Sequence, residues 1–305
     1  MNGATYNQLQ IFHAIVQAGS LTQAARHLEV APASVSQALK ALEKQLGLPL
    51  FTRSTRHIEL TEAGQLLHER TLTSMSALNL AVESISDLGH QPSGKVRITM
   101  PHFVYHMLIK PVYVEFCQRY PAIELEISLS DATVDIMREG FDMGIRFGEK
   151  VEAGMVAHPL TPPMDRALAA SPAYVAQFGL PQTPDELKHH KAVQYRYITS
   201  NQLAPFELLQ DNHRITVEMP RALVVNDTYL VVDAALNGLG IGQLMGPVFE
   251  PYFTSGELIP VLPDYWTSIS GVHVYFHQHS QKAKRVRALV DFLLEKRDEK
   301  KSQTA

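Results

Sequence analysis

The sequence predicts a multi-domain chain: an all-α amino-terminal segment closed by a short β-hairpin, then one long helix, then an α/β remainder. Three observations carry this. Residues 7–46 hold three helical periodicities separated by a glycine and by a proline turn. Residues 61–88 run without proline. From residue 95 onward, β-rich runs alternate with helical ones, the pattern of an open α/β sheet. At 305 residues, 45% of them apolar, the chain is long enough for two or three cores.

Leu9, Phe12 and Val16, with Ile15 beside them, predict a helix over 7–18 that Gly19 ends. Ser20 followed by Gln23 fits a capping box and starts a second helix. Its Ala24 and Ala25 permit close helix approach, and Leu28 adds an apolar contact. Val30-Ala31-Pro32 makes a turn, with proline tolerated at the start of the next helix. That helix is predicted over 33–45, with Val35, Leu39, Leu42 and Leu46 on its inner side. Its outer side presents Ala33, Gln37, Lys40, Ala41 and Lys44, flanked by Ser34 and Ser36. Small residues with Gln, Ser and Lys suit close approach to base edges: Gln pairs with adenine, Ser bonds several edges, Lys takes guanine or phosphate. The bland alternative is a solvated face, which the absence of acidic groups weakens. Gly47–Phe51 closes the core. Thr52–His57 is predicted as a hairpin tip with two guanidinium groups and three hydroxyls, suited to phosphate and minor-groove contacts. Two helices, a turn, a third helix and a basic wing together form the arrangement that places a helix in the major groove of DNA.

Charge supports a division of labour. The formal net charge is −4, but residues 1–57 carry Arg26, Lys40, Lys44, Arg53 and Arg56 against Glu29 and Glu43, a net +3 that leaves −7 for the rest. A basic module joined to an acidic one implies one nucleic-acid contact and one other task. Cys117 is the only cysteine, which excludes an intrachain disulfide and a thiolate metal cluster; on the apolar stripe of VYVEFCQRY it reads as a buried core thiol. No charged segment with an apolar core opens the sequence and no apolar run is long enough for a bilayer, so a cytoplasmic location and no membrane partner are expected. There is no internal repeat, and the tail LEKRDEKKSQTA reads as frayed and solvated.

Phe12, the SLTQAA run, the VSQALKALEKQLGLPLF run, Arg53, Arg56 and the LTEAG box at 60–64 resemble the winged helix-turn-helix of LysR-type transcriptional regulators. The resemblance extends through the whole chain at lower specificity. Ala31 and Pro32 depart from it: the family usually has serine at the first and often glutamine at the second. The resemblance implies a fold of an N-terminal all-α winged helix-turn-helix (1–60), a linker dimerisation helix (61–89), a hinge (90–94) and a two-lobed α/β periplasmic-binding-protein-like effector domain. Lobe I would be 94–160 and 269–305, and lobe II 161–268. Ser34, Ser36, Gln37 and Lys40 would read the groove, and Arg53 and Arg56 would grip the backbone.

Within the linker, Leu67, Thr71, Ser74, Leu78, Ala81, Ile85 and Leu88 fall at alternating steps of four and three, a partly polar heptad seam. By periodicity alone, a coiled coil and packing on its own domain weigh equally. The resemblance favours pairing of subunits, as a homodimer or homotetramer that presents two readers to a dyad-symmetric double-stranded DNA operator.

The remainder reads as VRITM, a helix through Phe116, IELEISL, a short helix at VDIMREG, FDMGIRF, RALAAS, AVQYR, ALVVND, a helix over 228–237, GIGQLM, ISGVHVYFHQ and a last helix KRVRALVDFLLEK. In such sheets ligands lie beyond the carboxyl ends of strands. The residues there are Thr99 to Phe103; Ser128, Ser130 and Asp131; Arg146 and Phe147; Gln194 and Arg196; and Asn226 to Thr228. The expected effector contacts are Thr99, Pro101, His102, Phe103, Ser128, Ser130, Arg146, Phe147, Gln194, Asn226 and Thr228. Asp227 reads better as a helix cap, and Arg146 has pairing with Asp142 or Asp131 as its alternative. Arg146, His102 and Phe103 point to an organic anion with an apolar body.

His102 and His106 lie four apart, and His273, His277 and His279 share a strand. Such pairs can hold zinc or sense pH, but no third ligand stands at a fixed spacing and there is no HExxH, so no metal is expected. His189-His190 reads as surface. There is no GxSxG, no Walker loop and no usable cysteine nucleophile, so neither catalysis nor a cofactor is expected. GLGIG follows a helix and enters a strand, the reverse of a dinucleotide loop, and reads as a tight turn. The reading is a sequence-specific transcription regulator modulated by a small-molecule effector between two lobes. Its rivals are a solute receptor or small-molecule enzyme with a vestigial reader, and a nucleoid-type binder without sequence preference.

Overall fold

The computed structural model describes residues 3–53, 58–86, 91–151, 154–278, 280 and 283–304. The chain forms two compact units. One comprises Met1–Gln91, Asp135–Asp142 and His279–Lys284, the other Pro92–Val134, Met143–Gln278 and Arg285–Ala305.

In the first unit, α1 (Gly3–Ala18), α2 (Leu21–His27) and α3 (Pro32–Leu46) enclose a core of Phe12, Ile15, Ala24, Ala25, Val35 and Leu42. Local chemistry sets the boundaries. Gly19, at φ +65°, stops α1, and the Ser20 Oγ accepts the Gln23 N–H at 3.1 Å to start α2. Pro32 opens α3, and left-handed Gly47, at φ +72°, ends it. The predicted inner face fails at its last member: Leu46 is 43% exposed, because the chain turns away at Gly47, and Leu50 and Phe51 fill the core in its place. Leu48 is also exposed. β1 (Phe51–Arg53) and β2 (Ile58–Leu60) pair antiparallel with Thr52 opposite Glu59; the hairpin tip lies outside the described residues.

α4 (Glu62–Ser86) begins at Thr61, whose Oγ1 accepts the Gly64 N–H. Its seam divides. Leu67 packs on the core and Thr71 bonds His13, whereas Ser74, Leu78 and Ala81 are exposed, with Val82 beside them. The Ile85 side chain and Leu88 lie outside the described residues.

A buried histidine pair joins α1 to α4. His68 Nδ1 lies 3.1 Å from His13 Nδ1, and His13 Nε2 lies 2.8 Å from Thr71 Oγ1. Thr71 donates its own hydroxyl proton to the Leu67 carbonyl. It must therefore accept from His13 Nε2–H, which leaves His13 Nδ1 to accept from His68 Nδ1–H. A further proton on His13 would set two N–H groups against each other. Burial, and secondarily the charge of His68, lower the His13 pKa from 6.5 to about 4; burial also lowers His68. Between these two values the unfolded chain binds more protons than the folded one, so stability present above pH 6.5 is lost as pH falls towards 4. At about 1.4 kcal/mol per pKa unit, the loss reaches about 3 kcal/mol. Urea unfolding of the reader, followed by helical circular dichroism, should show that loss, and the H13F/H68F variant should lack it. An equally steep acid dependence in the double variant would assign the effect elsewhere.

The second unit follows in chain order: β3 (Gly94–Met100), α5 (His102–Val104) continuing as a π-helical turn over Tyr105–Ile109, α6 (Tyr113–Arg119), β4 (Ile123–Leu129), β5 (Met143–Phe147), β6 (Met155–Pro159), β7 (Met164–Ala170), α7 (Pro172–Phe178), β8 (Ala192–Tyr195), β9 (Phe206–Gln210), β10 (His213–Val217), β11 (Arg221–Val225), α8 (Thr228–Leu236), β12 (Ile241–Met245), α9 (Gly246–Ser255), β13 (Ile259–Val261), β14 (Thr267–Ile269), β15 (Val272–His277) and α10 (Lys284–Thr304). Two sheets result. The lobe I sheet has the order β4-β3-β5-β15-β6, and the lobe II sheet β11-β8-β12-β7-β13 with β14 also on β7. β3 runs parallel to β4 and β5, and β8 parallel to β11 and β12. Each sheet therefore gathers three strand carboxyl ends at one edge.

Three expectations change here. Residues 136–140 form turns in place of the short helix expected over 134–140: Asp135 Oδ1 takes the Met137 and Arg138 N–H groups, each at 3.0 Å, and Gly140, at φ +70°, turns the chain away. Cys117 is exposed, because α6 spends its inward position on the adjacent Phe116. His190 is buried, its Nδ1 3.3 Å from the Tyr174 hydroxyl, while His189 stays exposed.

Candidate DNA-reading face and interlobe cleft

Val35, Leu39 and Leu42 fix the rotation of α3, and the same rotation exposes Ser34, Gln37, Lys40, Ala41 and Lys44; Ser36 is half-buried. No side chain caps the helix, since Ala31 stands at its N-cap. Arg53 ends β1, but its side chain, and Arg56 entirely, lie outside the described residues. A chain of polar contacts ties α3 to α4. Glu43 Oε1 accepts the Leu50 N–H at 2.9 Å, and the Leu50 carbonyl accepts the Thr61 N–H at 3.0 Å. The Thr61 hydroxyl donates to the Pro49 carbonyl at 2.7 Å. Sequence reasoning treated Thr61 as a cap alone and passed over Glu43; only the tertiary path reveals the strap.

The carboxyl edges of the two lobe sheets meet. Thr133 N–H donates to Thr199 Oγ1 at 2.6 Å across the cleft, and the His106 ring stands 4.8 Å from that of Tyr229. The expected contacts fall into groups. From lobe I come buried Thr99, Pro101 and Phe103, half-exposed His102, and the partly buried Ser128, Ser130 and Phe147. Phe103 and Phe147 stack at 5.4 Å, forming an apolar wall. From lobe II come buried Gln194 and Thr228 and exposed Asn226. Gln194 Nε2 is committed to the Ala204 carbonyl, and Arg196 to that of Asn201.

Arg146 is buried beneath this edge and donates to the carbonyls of Ile145, Ser130 and Ala132 and to Thr99 Oγ1. It holds the ends of β3, β4 and β5 together. Asp227 caps α8, its Oδ1 accepting the Tyr229 and Leu230 N–H groups at 2.8 and 2.9 Å. Asp131 does likewise for α5, accepting the His102 N–H at 3.0 Å. His102, Asp131 and Asp227 each bring a ligand atom to within 4.8 Å of the others. Spacing along the sequence had paired His102 with His106; in space its companions are two carboxylates from separate strand ends.

Two cleft tyrosines went unnoticed in the sequence, although each adjoins a strand end. Burial first, and then the charges of Asp131 and Asp227, raise the Tyr195 hydroxyl well above its usual value. Burial, with smaller contributions that include the same two carboxylates, pushes Tyr229 up to about 12. Asp131 and Asp227 thus place negative charge beside both hydroxyls.

Comparison with known proteins places these features. Residues 6–65 match the model for bacterial regulatory helix-turn-helix proteins of the lysR family, and residues 89–298 match the LysR substrate binding domain. A putative transcriptional regulator of Pseudomonas aeruginosa is 31% identical over 94% of this chain and 94% of its own. The structure of CrgA, a LysR-type regulator from Neisseria meningitidis, superposes with a TM-score of 0.62 at 25% identity, covering 97% of this chain and 99% of that one. Full-length LysG from Corynebacterium glutamicum with bound effector Arg shares the fold, with a TM-score of 0.65 at 21% identity over 97% and 99% of the chains. With both family models matched and a regulator 31% identical over nearly its whole length, the chain belongs to the LysR family of DNA-binding transcription regulators.

Proposed function

We propose that Ser34, Ser36, Gln37 and Lys40 read the major groove, that Arg53 and Arg56 hold the phosphate backbone, and that a small molecule in the interlobe cleft controls the reader. The observation that carries the first part is the exposed face of α3, which is free of acidic side chains. Exposed Leu78 and Val82 on α4 support pairing of two copies, so that two readers meet a dyad-symmetric operator. The proposed domain limits are those of the sequence reading, with the lobe crossings between β6 and β7 and between β14 and β15. We read the cleft as a binding site without catalysis, and DNA as the partner that sets a cytoplasmic location. Among the described residues no helix is long and apolar enough to cross a membrane.

The ligand's charge deserves revision. Arg146 already serves four protein oxygens, while Asp131 and Asp227 make the cleft negative. A ligand with a cationic part fits better than the organic anion suggested by Arg146, His102 and Phe103. Arginine bound to LysG is in keeping with that chemistry.

Genome-wide occupancy would supply the operator. On it, Q37A and K40A should each lower the operator-to-random affinity ratio by about 5- to 150-fold, the equivalent of about 1–3 kcal/mol for a good base contact. R53A should weaken operator and random DNA alike at matched salt. If Q37A weakens both equally, α3 does not read sequence through this face.

A further inference from the structure

We infer that His102, Asp131 and Asp227 bind a first-row divalent transition metal ion that ties lobe I to lobe II. The site rests on geometry within one compact unit. His102 and Asp131 come from the ends of β3 and β4, and Asp227 from the end of β11, so the donors span the cleft. Their ligand atoms lie within 4.8 Å of one another. Around an ion with bonds of about 2.1 Å, donors sit about 3–4 Å apart, so small side-chain rotations complete the shell.

The groups that would orient these donors are already in place. Asp131 Oδ1 is held by the His102 N–H, and Asp227 Oδ1 by the Tyr229 and Leu230 N–H groups. Each carboxylate is therefore oriented by backbone donors and still has a second oxygen to offer. His102 Nδ1 is shielded from solvent and makes no hydrogen bond, although Asp131 Oδ2 is only 3.4 Å away. With its proton on Nε2, the His102 ring turns an Nδ1 lone pair toward Asp131, and a cation among His102, Asp131 and Asp227 resolves that arrangement.

The electrostatics agree. A helix amino terminus contributes about half a positive charge, so those of α5 and α8 offset only part of the two carboxylates. An imidazole with two carboxylates suits zinc, nickel, iron or manganese better than calcium or magnesium, which prefer all-oxygen shells.

The proposed consequence, control of closure by the ion, rests on the cleft being the effector site. Metal-stripped full-length protein would be titrated calorimetrically with Zn²⁺, Ni²⁺, Mn²⁺, Mg²⁺ and Ca²⁺, and with arginine as the organic cation. We expect one transition-metal ion per chain. Affinity should fall by roughly 100-fold in H102A, because the loss of outer partners alone costs about 10- to 100-fold. D131N and D227N should fall comparably while their metal-free melting stays near the parent's, since asparagine caps helices well. H189A, altered at an exposed histidine, should bind as the parent does. No saturable metal binding, or binding unchanged in all three site variants, overturns the site. Arginine binding that D131N and D227N abolish, with no metal bound, overturns the ion but preserves the effector cleft. A bound ion that leaves operator affinity unchanged upholds the site and overturns its regulatory role.

Discussion

G64A is expected to lose operator binding and to destabilise the reader by more than about 3 kcal/mol, the range of severe backbone and overpacking defects. A Cβ at Gly64 would stand 2.0 Å from the Leu50 carbonyl oxygen and 2.9 Å from the Leu60 Cδ2. The first distance is far inside contact range, and the obstacle is backbone. That carbonyl cannot simply withdraw, because it accepts the Thr61 N–H at 3.0 Å, while the Leu50 N–H is held by Glu43 at the end of α3. Moving it breaks the strap that fixes the reading helix against α4. G47A is the proper comparison. Gly47 has φ +72° but nothing within 4 Å of its would-be Cβ, so alanine there meets only the left-handed backbone penalty of about 1–2 kcal/mol. Helical circular dichroism in urea should separate the two variants, with operator binding as the second readout. Fluorescence would not, since the only tryptophan, Trp266, lies in lobe II. If G64A unfolded at the same urea concentration as G47A, the close approach at Leu50 would not govern this junction.

The glycine of the LTEAG box illustrates what was readable in the sequence. The motif marked the family, and Thr61 marked a helix start, but the reason for glycine is a carbonyl fourteen positions earlier that no local pattern can place. Where the determinants are local, the reading succeeds: Ser20, Pro32 and the Val35–Leu42 spacing define the reader because each acts within a turn or two. Leu46 continues the spacing of Val35, Leu39 and Leu42, but the helix ends there at left-handed Gly47 and leaves Leu46 outside the core. The β9–β10 hairpin lies outside the sequence reading, although its turn carries a local signature. Asp211 and Asn212 both take positive φ, +49° and +62°, the geometry of a two-residue hairpin turn. FELLQ before it has no alternation to announce a strand. The cleft was legible as a set of strand ends, because parallel topology sends them to one edge. Which of them meet depends on how the lobes close, and so the meeting of Asp131 with Asp227 and the places of Tyr195 and Tyr229 emerge only in three dimensions.

R146M should cost the effector domain about 3 kcal/mol or more, from the buried carbonyls that lose their donor. Arg146 is 7% exposed. Its Nη1 donates to the Ile145 carbonyl at 2.8 Å, and its Nη2 reaches Thr99 Oγ1, the Ser130 carbonyl and the Ala132 carbonyl at 3.3, 3.3 and 3.4 Å. Methionine fills similar space but donates nothing, so three carbonyls lose a donor, at about 1–3 kcal/mol for each one left unsatisfied. R146K should fall between the parent and R146M. An ammonium keeps the charge but lacks the planar fork needed to address the ends of β3, β4 and β5 together. The same measurement separates two roles for this residue. As the clasp of the strand ends, Arg146 should lower the calorimetric melting of the effector domain when replaced, and should weaken any cleft ligand only because the loops bearing His102 and Asp131 lose their positions. As a direct contact for an anion, it would leave melting unchanged and abolish stabilisation by carboxylates. An R146M protein that melts like its parent but no longer responds to carboxylates would return the cleft to anion recognition and remove the electrostatic basis for a cationic ligand.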